Sequence, residues 1–146
     1  MQASSTLRPR PLVSVLTPTI VGREAFLEEC MLSVNGQTYT NVEHLVKLDS
    51  HKRGCAQIMN QLARKAKGQW LLPLADDDLL LPAAIETLLE ADGDIIWSPP
   101  LVWGNDSKHF FGEPPEIPSF ALIRTEVWKE LGGYEESAIR EEDRKL

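Results

Sequence analysis

Three consecutive carboxylates, Asp76-Asp77-Asp78, are the residues of this 146-residue chain best suited to chemistry. Adjacent carboxylates resist joint ionisation unless a cation or strong hydrogen-bond donors offset their repulsion. Hard divalent cations, Mg2+ or Mn2+, take oxygen ligands and commonly bridge one or two carboxylates to substrate phosphates. On extended backbone Asp76 and Asp78 share a face and Asp77 points away, although a turn at a strand end relaxes that alternation. The competing account is a solvated acidic turn at the positive end of a helix opened by Pro82. The flanks weigh against it. Trp70-Leu71-Leu72 and Leu79-Leu80-Leu81 bury the segment, and buried charges need partners.

Two further polar features could share a site with that triplet. Thr17-Pro18-Thr19 and Asp49-Ser50 each close a short apolar run. Arg53 follows and could reach a diphosphate, although a solvated arginine is the commoner situation. In a second acidic cluster, over 135–143, Glu141, Glu142 and Asp143 are either a solvated run or part of a site. Neither G-x-x-x-x-G-K-[ST] nor G-x-G-x-x-G follows the first apolar run, which disfavours a P-loop nucleotidase and a dinucleotide-dependent oxidoreductase. A diphosphate held by carboxylates through a metal fits better. His44, His51 and His109 lack ligand spacing, and Cys30 and Cys55, both on the inner side of helical patterns, lack C-x-x-C spacing. Neither zinc nor a disulfide framework is expected. Trp97, Trp103, Phe110 and Phe111 could form an aromatic stacking wall beside the site, with ordinary packing as the competing account.

Positioning these groups takes a definite order of elements. Residues 12–17 read as a short buried β-branched strand. Over 23–34, Phe26, Leu27, Cys30, Met31 and Val34 hold helical spacing as an inward face. A second strand covers 42–48. Ile58, Met59, Leu62, Ala63 and Ala66 form the face of a helix over 55–67, stopped at Gly68. A third strand, 70–74, runs into the triplet, with Pro73 at its irregular end. Pro82 opens a third helix with Ala84, Ile85, Leu88 and Leu89 facing inward. A short strand over 94–97, a long loop over 98–118, a strand at 121–123 and a helix capped by Thr125 and closed at Gly132-Gly133 complete the chain. Consecutive strand–helix units predict an α/β domain, a mainly parallel sheet with helices on both faces. Ligands of such sheets bind beyond the carboxyl ends of the strands. Thr19, Asp49 and the aspartate triplet all fall there.

The bulk properties narrow the class. The length suits one domain over 12–146 after a flexible lead-in over 1–11. A net charge of -7 argues against a nucleic-acid partner. With no apolar run near 20 residues, no signal-peptide pattern and only two cysteines, a cytoplasmic setting without a transmembrane segment is expected.

Ordered motifs add a resemblance. Val13-Ser14-Val15-Leu16-Thr17-Pro18-Thr19, then Ser33-Val34-x-x-Gln37-Thr38-Tyr39-x-Asn41-Val42-Glu43-His44, is similar to the opening of GT-A fold glycosyltransferases of family two. Ala66-x-Gly68-x-Trp70-Leu71 followed by Asp76-Asp77-Asp78-x-x-x-Pro82 resembles their D-x-D region. Leu131-Gly132-Gly133-Tyr134-Glu135-Glu136, then Glu142-Asp143, resembles their late segments, so the match runs over 12–143. The resemblance implies a Rossmann-like nucleotide-diphospho-sugar transferase fold and an inverting transferase. Pro18 and Thr19 would line the base pocket, Asp49 would bind the base edge and Asp76 would lie near the ribose. Counted back from Pro82, Asp77 falls at the metal-binding aspartate with Asp78 beside it, whereas a literal D-x-D reading selects Asp76 and Asp78. Asp143 would be the general base toward an acceptor hydroxyl. Ala75 stands where many relatives carry the first aspartate, and Lys47-Leu48-Asp49-Ser50 departs from the commoner paired aspartates and glycine.

Two function classes follow. One is a metal-dependent transferase moving a sugar from a nucleotide-diphosphate donor to a hydroxyl acceptor, Mn2+ or Mg2+ being the cofactor. The other is a non-catalytic domain of the same fold that binds a nucleotide sugar or a protein partner. A short acceptor-side portion would leave room for a homo-oligomer. A nucleotidyltransferase would need a glycine-rich basic loop after the first strand, which is not there.

Overall fold

The computed structural model of the chain describes residues 10–97 and 121–134. Over these residues the order is β1 (Val13–Thr19), α1 (Glu24–Asn35), β2 (Val42–Leu48), α2 (Cys55–Lys65), β3 (Trp70–Pro73), α3 (Ala84–Leu89), β4 (Ile95–Trp97), β5 (Ala121–Arg124) and α4 (Thr125–Leu131). The sheet order is β2-β1-β3-β5-β4. β1 pairs in parallel with β2 and β3, while β5 is antiparallel to β3 and to β4. Four strands therefore share one direction and β5 alone is reversed, so the sheet is mainly parallel.

The alternation of side chains along β1 and β3 divides the core in two. Val13 and Val15 with Trp70 and Leu72 face Cys30 and Val34 of α1 and Ile85 and Leu88 of α3. Leu16 and Leu71 face Ile58, Met59, Leu62 and Ala63 of α2 and Trp128 of α4. The connection β1–α1–β2 runs one way across the sheet and β2–α2–β3 runs back, so right-handed crossovers place α1 and α2 on opposite faces. β1 is buried on both sides and its V-S-V-L-T run accordingly carries almost no exposed polarity.

Two prolines are accommodated by the ladder's ends. The Asp49 amide donates to Thr19 O and the Leu74 amide to Leu16 O. Alternation then points Pro18 toward β3 beyond the last pair, Leu16–Pro73, and Pro73 toward β5 beyond Leu71–Ile123. Neither missing N–H is needed by a neighbouring strand.

Four local readings need correction. In α1 only Cys30 and Val34 are buried, and Phe26 and Met31 are 51% and 40% exposed, because this helix meets the sheet along a narrow i, i+4 row. Cys55 is exposed rather than inward, at the first turn of α2. α3 begins at Ala84, since the carbonyl of Pro82 is taken by the Thr38 amide. Thr125 does not cap α4: Arg124 holds the N-cap position, and the Thr125 hydroxyl donates to Gly68 O at 2.8 Å. Among the described residues no helix is long and apolar enough to cross a membrane.

Candidate functional site at the carboxyl ends of β1 and β3

Past β1 the chain turns toward β2, and past β3 it moves away toward β4 and β5. The gap between the carboxyl ends of β1 and β3 is therefore the crevice where doubly wound sheets bind ligands. Thr19 ends β1, and Asp76 lies three residues past β3. They meet: the Thr19 hydroxyl donates to Asp76 Oδ2 at 2.8 Å, with both residues buried.

Asp76 does not stand free. Arg23 Nε donates to both of its oxygens, at 2.9 Å to Oδ1 and 2.8 Å to Oδ2. Arg23 Nη2 reaches Asp77 Oδ2 at 3.1 Å, and the guanidinium lies over the Phe26 ring at 5.2 Å. The pairing raises the Arg23 pKa through its hydrogen bond with Asp76 and the attraction of that carboxylate. The buried member of the triplet is thus neutralised by a side chain 53 positions away in sequence. Arg23 had no role in the sequence reading. One signal for it existed, since Arg23 is the sole Lys or Arg between Thr19 and Lys47, and a buried carboxylate requires a cation.

Asp77 and Asp78 are exposed, on a turn closed by the Asp78 amide donating to Ala75 O at 3.1 Å. Partial desolvation of the carboxyl, then the charges of Asp77 and Asp76, pushes the Asp78 pKa up. Among the described residues Asp78 has no cation of its own, so negative charge is offset at Asp76 and accumulates toward Asp78. Among those residues no three His, Cys, Asp or Glu side chains converge as a ready-made cage for a metal ion. The donor set nonetheless fits a hard cation, because Mg2+ and Mn2+ at phosphate sites use one or two protein carboxylates with phosphate and water oxygens. Asp77 and Asp78 are exposed carboxylates of that kind, whereas Asp76 is buried and already accepts from Arg23 and Thr19.

What holds the turn in place is a set of side chains from α1 and from Gln37, two residues past its end. Gln37, 6% exposed, donates from Nε2 to Leu81 O at 2.7 Å and accepts from the Ile85 amide at 3.0 Å. Ser33 Oγ accepts from the Leu80 amide at 3.1 Å. The thiol of Cys30 donates to Ala75 O, and burial keeps it protonated, pushed up to about 11. These side chains position the acidic segment and do not themselves line the crevice.

Across the mouth, Asp49 accepts from the amides of Arg53 at 2.8 Å and Gly54 at 2.9 Å, folding the loop that leads into α2. Gly54 takes φ of 100°, a conformation that suits glycine. Arg53 is exposed beside it and Pro18 is half-buried on β1. Partial desolvation of its thiol, then the charges of Asp76 and Asp49, raises the Cys55 pKa. Pro18, Thr19, Asp49, Arg53, Asp76, Asp77 and Asp78 therefore all lie at the carboxyl edge of the three parallel strands. Asp143 lies outside the described residues, as do His109, Trp103, Phe110 and Phe111. The late glycine motif is pinned to α2: the Asn60 amide donates to Tyr134 O at 2.9 Å and accepts from Tyr134 N at 3.0 Å.

His44 is structural, its Nε2 paired with Thr17 Oγ1 at 2.8 Å; burial lowers its pKa to about 4. A shallow groove of about 280 Å³ on the outer side of α1 is lined by residues of that helix alone, none of them a candidate site residue.

A doubly wound sheet with a carboxylate turn at this switch point is the architecture of the GT-A glycosyltransferases, and the chain has that fold. The mannosyltransferase PcManGT from Pyrobaculum calidifontis, solved with GDP-Man and Mn2+, superposes with a TM-score of 0.64 at 18% identity, over 88% of this chain and 48% of that one. S. aureus TarS 1-349 superposes at 0.60 with 16% identity, over 86% of this chain and 50% of that one. The same S. aureus protein with UDP-GlcNAc superposes at 0.57, over 83% and 47% of the two chains, at 15% identity. In sequence, the chain is similar to the O-antigen biosynthesis protein RfbC of Myxococcus xanthus, 31% identical over 96 residues. That match covers 65% of this chain and 8% of the relative, so the chain spans a small part of RfbC and about half of the solved neighbours. No family model matches the sequence.

Proposed function

We propose that this chain binds the donor of a metal-dependent, inverting glycosyltransferase, taking a nucleotide-diphosphate sugar in the crevice between β1 and β3. The observation that carries this reading is the Asp76–Asp78 turn, its buried carboxylate paired internally and its two others exposed, one of them touching Arg23, beside Thr19 in a GT-A fold. Supporting it, the solved neighbours include complexes with GDP-Man and Mn2+ and with UDP-GlcNAc.

Pro18 and Thr19 border the base, and Asp49 holds the adjoining loop against the base edge. Arg53, at the entrance to α2, meets the diphosphate. Asp77 and Asp78 hold the divalent cation, which when bound offsets charge on the departing nucleoside diphosphate. Asp76 stays with Arg23 near the ribose. Asp143 accepts the proton of an acceptor hydroxyl, and attack on the anomeric carbon from the opposite side inverts it.

Equilibrium dialysis against labelled UDP-, GDP- and TDP-sugars with Mn2+ tests the reading. Retention of at least one donor, with slow release of free sugar that disappears in Asp143→Asn while retention persists, is expected. Retention of none by folded protein contradicts it.

A further inference from the structure

Arg23 occupies an unusual place for a residue that ties a loop to a sheet. Its Nε is committed to both oxygens of Asp76, and its Nη2 to Asp77 Oδ2 at 3.1 Å. The two contacts differ in kind. Asp76 has an 8% exposed side chain and a second donor in Thr19, whereas the Asp77 side chain is 50% exposed. A charge-assisted bond to a buried carboxylate is costly to break, because it strands the charge, while one to an exposed carboxylate contributes little. The fork is therefore anchored at one tine and readily released at the other.

Building on the proposed donor site, we infer that Arg23 is a positioning residue that exchanges partners on loading. It keeps Asp76 out of the cation's coordination shell and yields Asp77 to the cation. Its freed Nη2, still held by the Nε–Asp76 anchor, then faces the diphosphate. The guanidinium geometry permits this, since a fixed planar fork bonds a carboxylate along one edge and a phosphate along another. A lysine, with one compact ammonium, lacks the second edge of that fork. Cation and arginine then compete for Asp77 in the empty protein, but cooperate once a diphosphate supplies the arginine with a new acceptor. This gives the crevice a preference for cation and diphosphate together over the cation alone.

Opposite shifts in two affinities test the exchange. Mn2+ binding to the full chain without nucleotide is followed by the loss of free Mn2+ signal in electron paramagnetic resonance. UDP and GDP binding at saturating Mn2+ is followed by calorimetry. Relative to the wild type, Arg23→Met is expected to bind Mn2+ alone roughly 3- to 10-fold more tightly and the nucleoside diphosphate roughly 3- to 10-fold more weakly. Arg23→Lys keeps the positive charge without the fork, shifts both quantities the same way by less, and serves as the test if Arg23→Met does not fold. A role confined to tethering the loop would weaken both affinities together and lower the thermal midpoint, and that result overturns the inference. So does an unchanged pair of affinities in whichever variant folds. Wild-type protein that takes up neither Mn2+ nor nucleotide overturns the donor site itself, a separate failure from one seen in the variants alone.

Discussion

Gly68 lies so close to Ser14 that a Cβ on the glycine would fall 2.5 Å from the serine hydroxyl oxygen. The same Cβ would meet Leu12 O at 2.7 Å and Ser14 N at 2.8 Å, which are backbone atoms that cannot step aside. The approach serves a network at the amino-terminal end of the sheet. Gly68 N donates to Ser14 Oγ at 2.9 Å, and Ser14 Oγ and Lys67 N both donate to Glu43 Oε2. Gly68→Ala is expected to cost about 2–3 kcal/mol in urea unfolding by prying β1 from the turn into β3. A loss under about 0.5 kcal/mol, the range of an ordinary surface change, would show that the contact relaxes freely.

Gln37 is the strut of the acidic turn. Gln37→Leu keeps the volume but leaves Leu81 O and Ile85 N without their buried partner, a loss of about 2 kcal/mol. Hydrogen exchange at the amide of Ile85 should quicken well before that of β1. Equal acceleration throughout the sheet would argue that Gln37 supports the whole fold and not this segment.

Gly132 and Gly133 form a matched pair. Both have left-handed backbone, φ 83° and 75°, so alanine strains each by about 1 kcal/mol. A Cβ on Gly132 meets nothing within 4 Å, whereas one on Gly133 falls 2.5 Å from Asn60 Oδ1 and displaces the amide that bonds both backbone groups of Tyr134. Gly133→Ala should therefore cost about 1–2 kcal/mol more than Gly132→Ala by thermal melt. Equal costs would mean that the Asn60 clasp is not needed.

His44 makes stability depend on pH. Its folded pKa, about 4, is below the ordinary 6.5, so the unfolded chain binds the proton first. The contribution is intact above pH 6.5 and is lost as pH falls toward 4, to a ceiling of about 3 kcal/mol. His44→Gln should flatten the stability curve between those values. A wild-type curve that keeps its slope after this change would assign the dependence to other groups.

Much of this was legible in advance, and for local reasons. β2 and the inward rows Ile58-Met59-Leu62-Ala63 and Ile85-Leu88 followed from spacing alone, and the strand ends located the crevice. Three things were not. The Arg23–Asp76 pair spans 53 positions, and no periodicity encodes such a contact. The motif residues Ser14, Glu43 and Gly68 are spread along the chain, and only the fold shows that they meet in a brace far from the crevice. In α1 the apolar spacing of Phe26 and Met31 was no guide to burial, because spacing does not say how wide a stripe the sheet covers.

The central claim, a cation held at Asp77 and Asp78 with a diphosphate as its other neighbour, is tested most directly by calorimetric titration of UDP and GDP with and without Mn2+, in wild type and in Asp77→Asn. The account predicts binding that requires Mn2+ and weakens about tenfold or more in the variant, with the thermal midpoint unchanged. Nucleotide binding that ignores the metal and survives Asp77→Asn would contradict it.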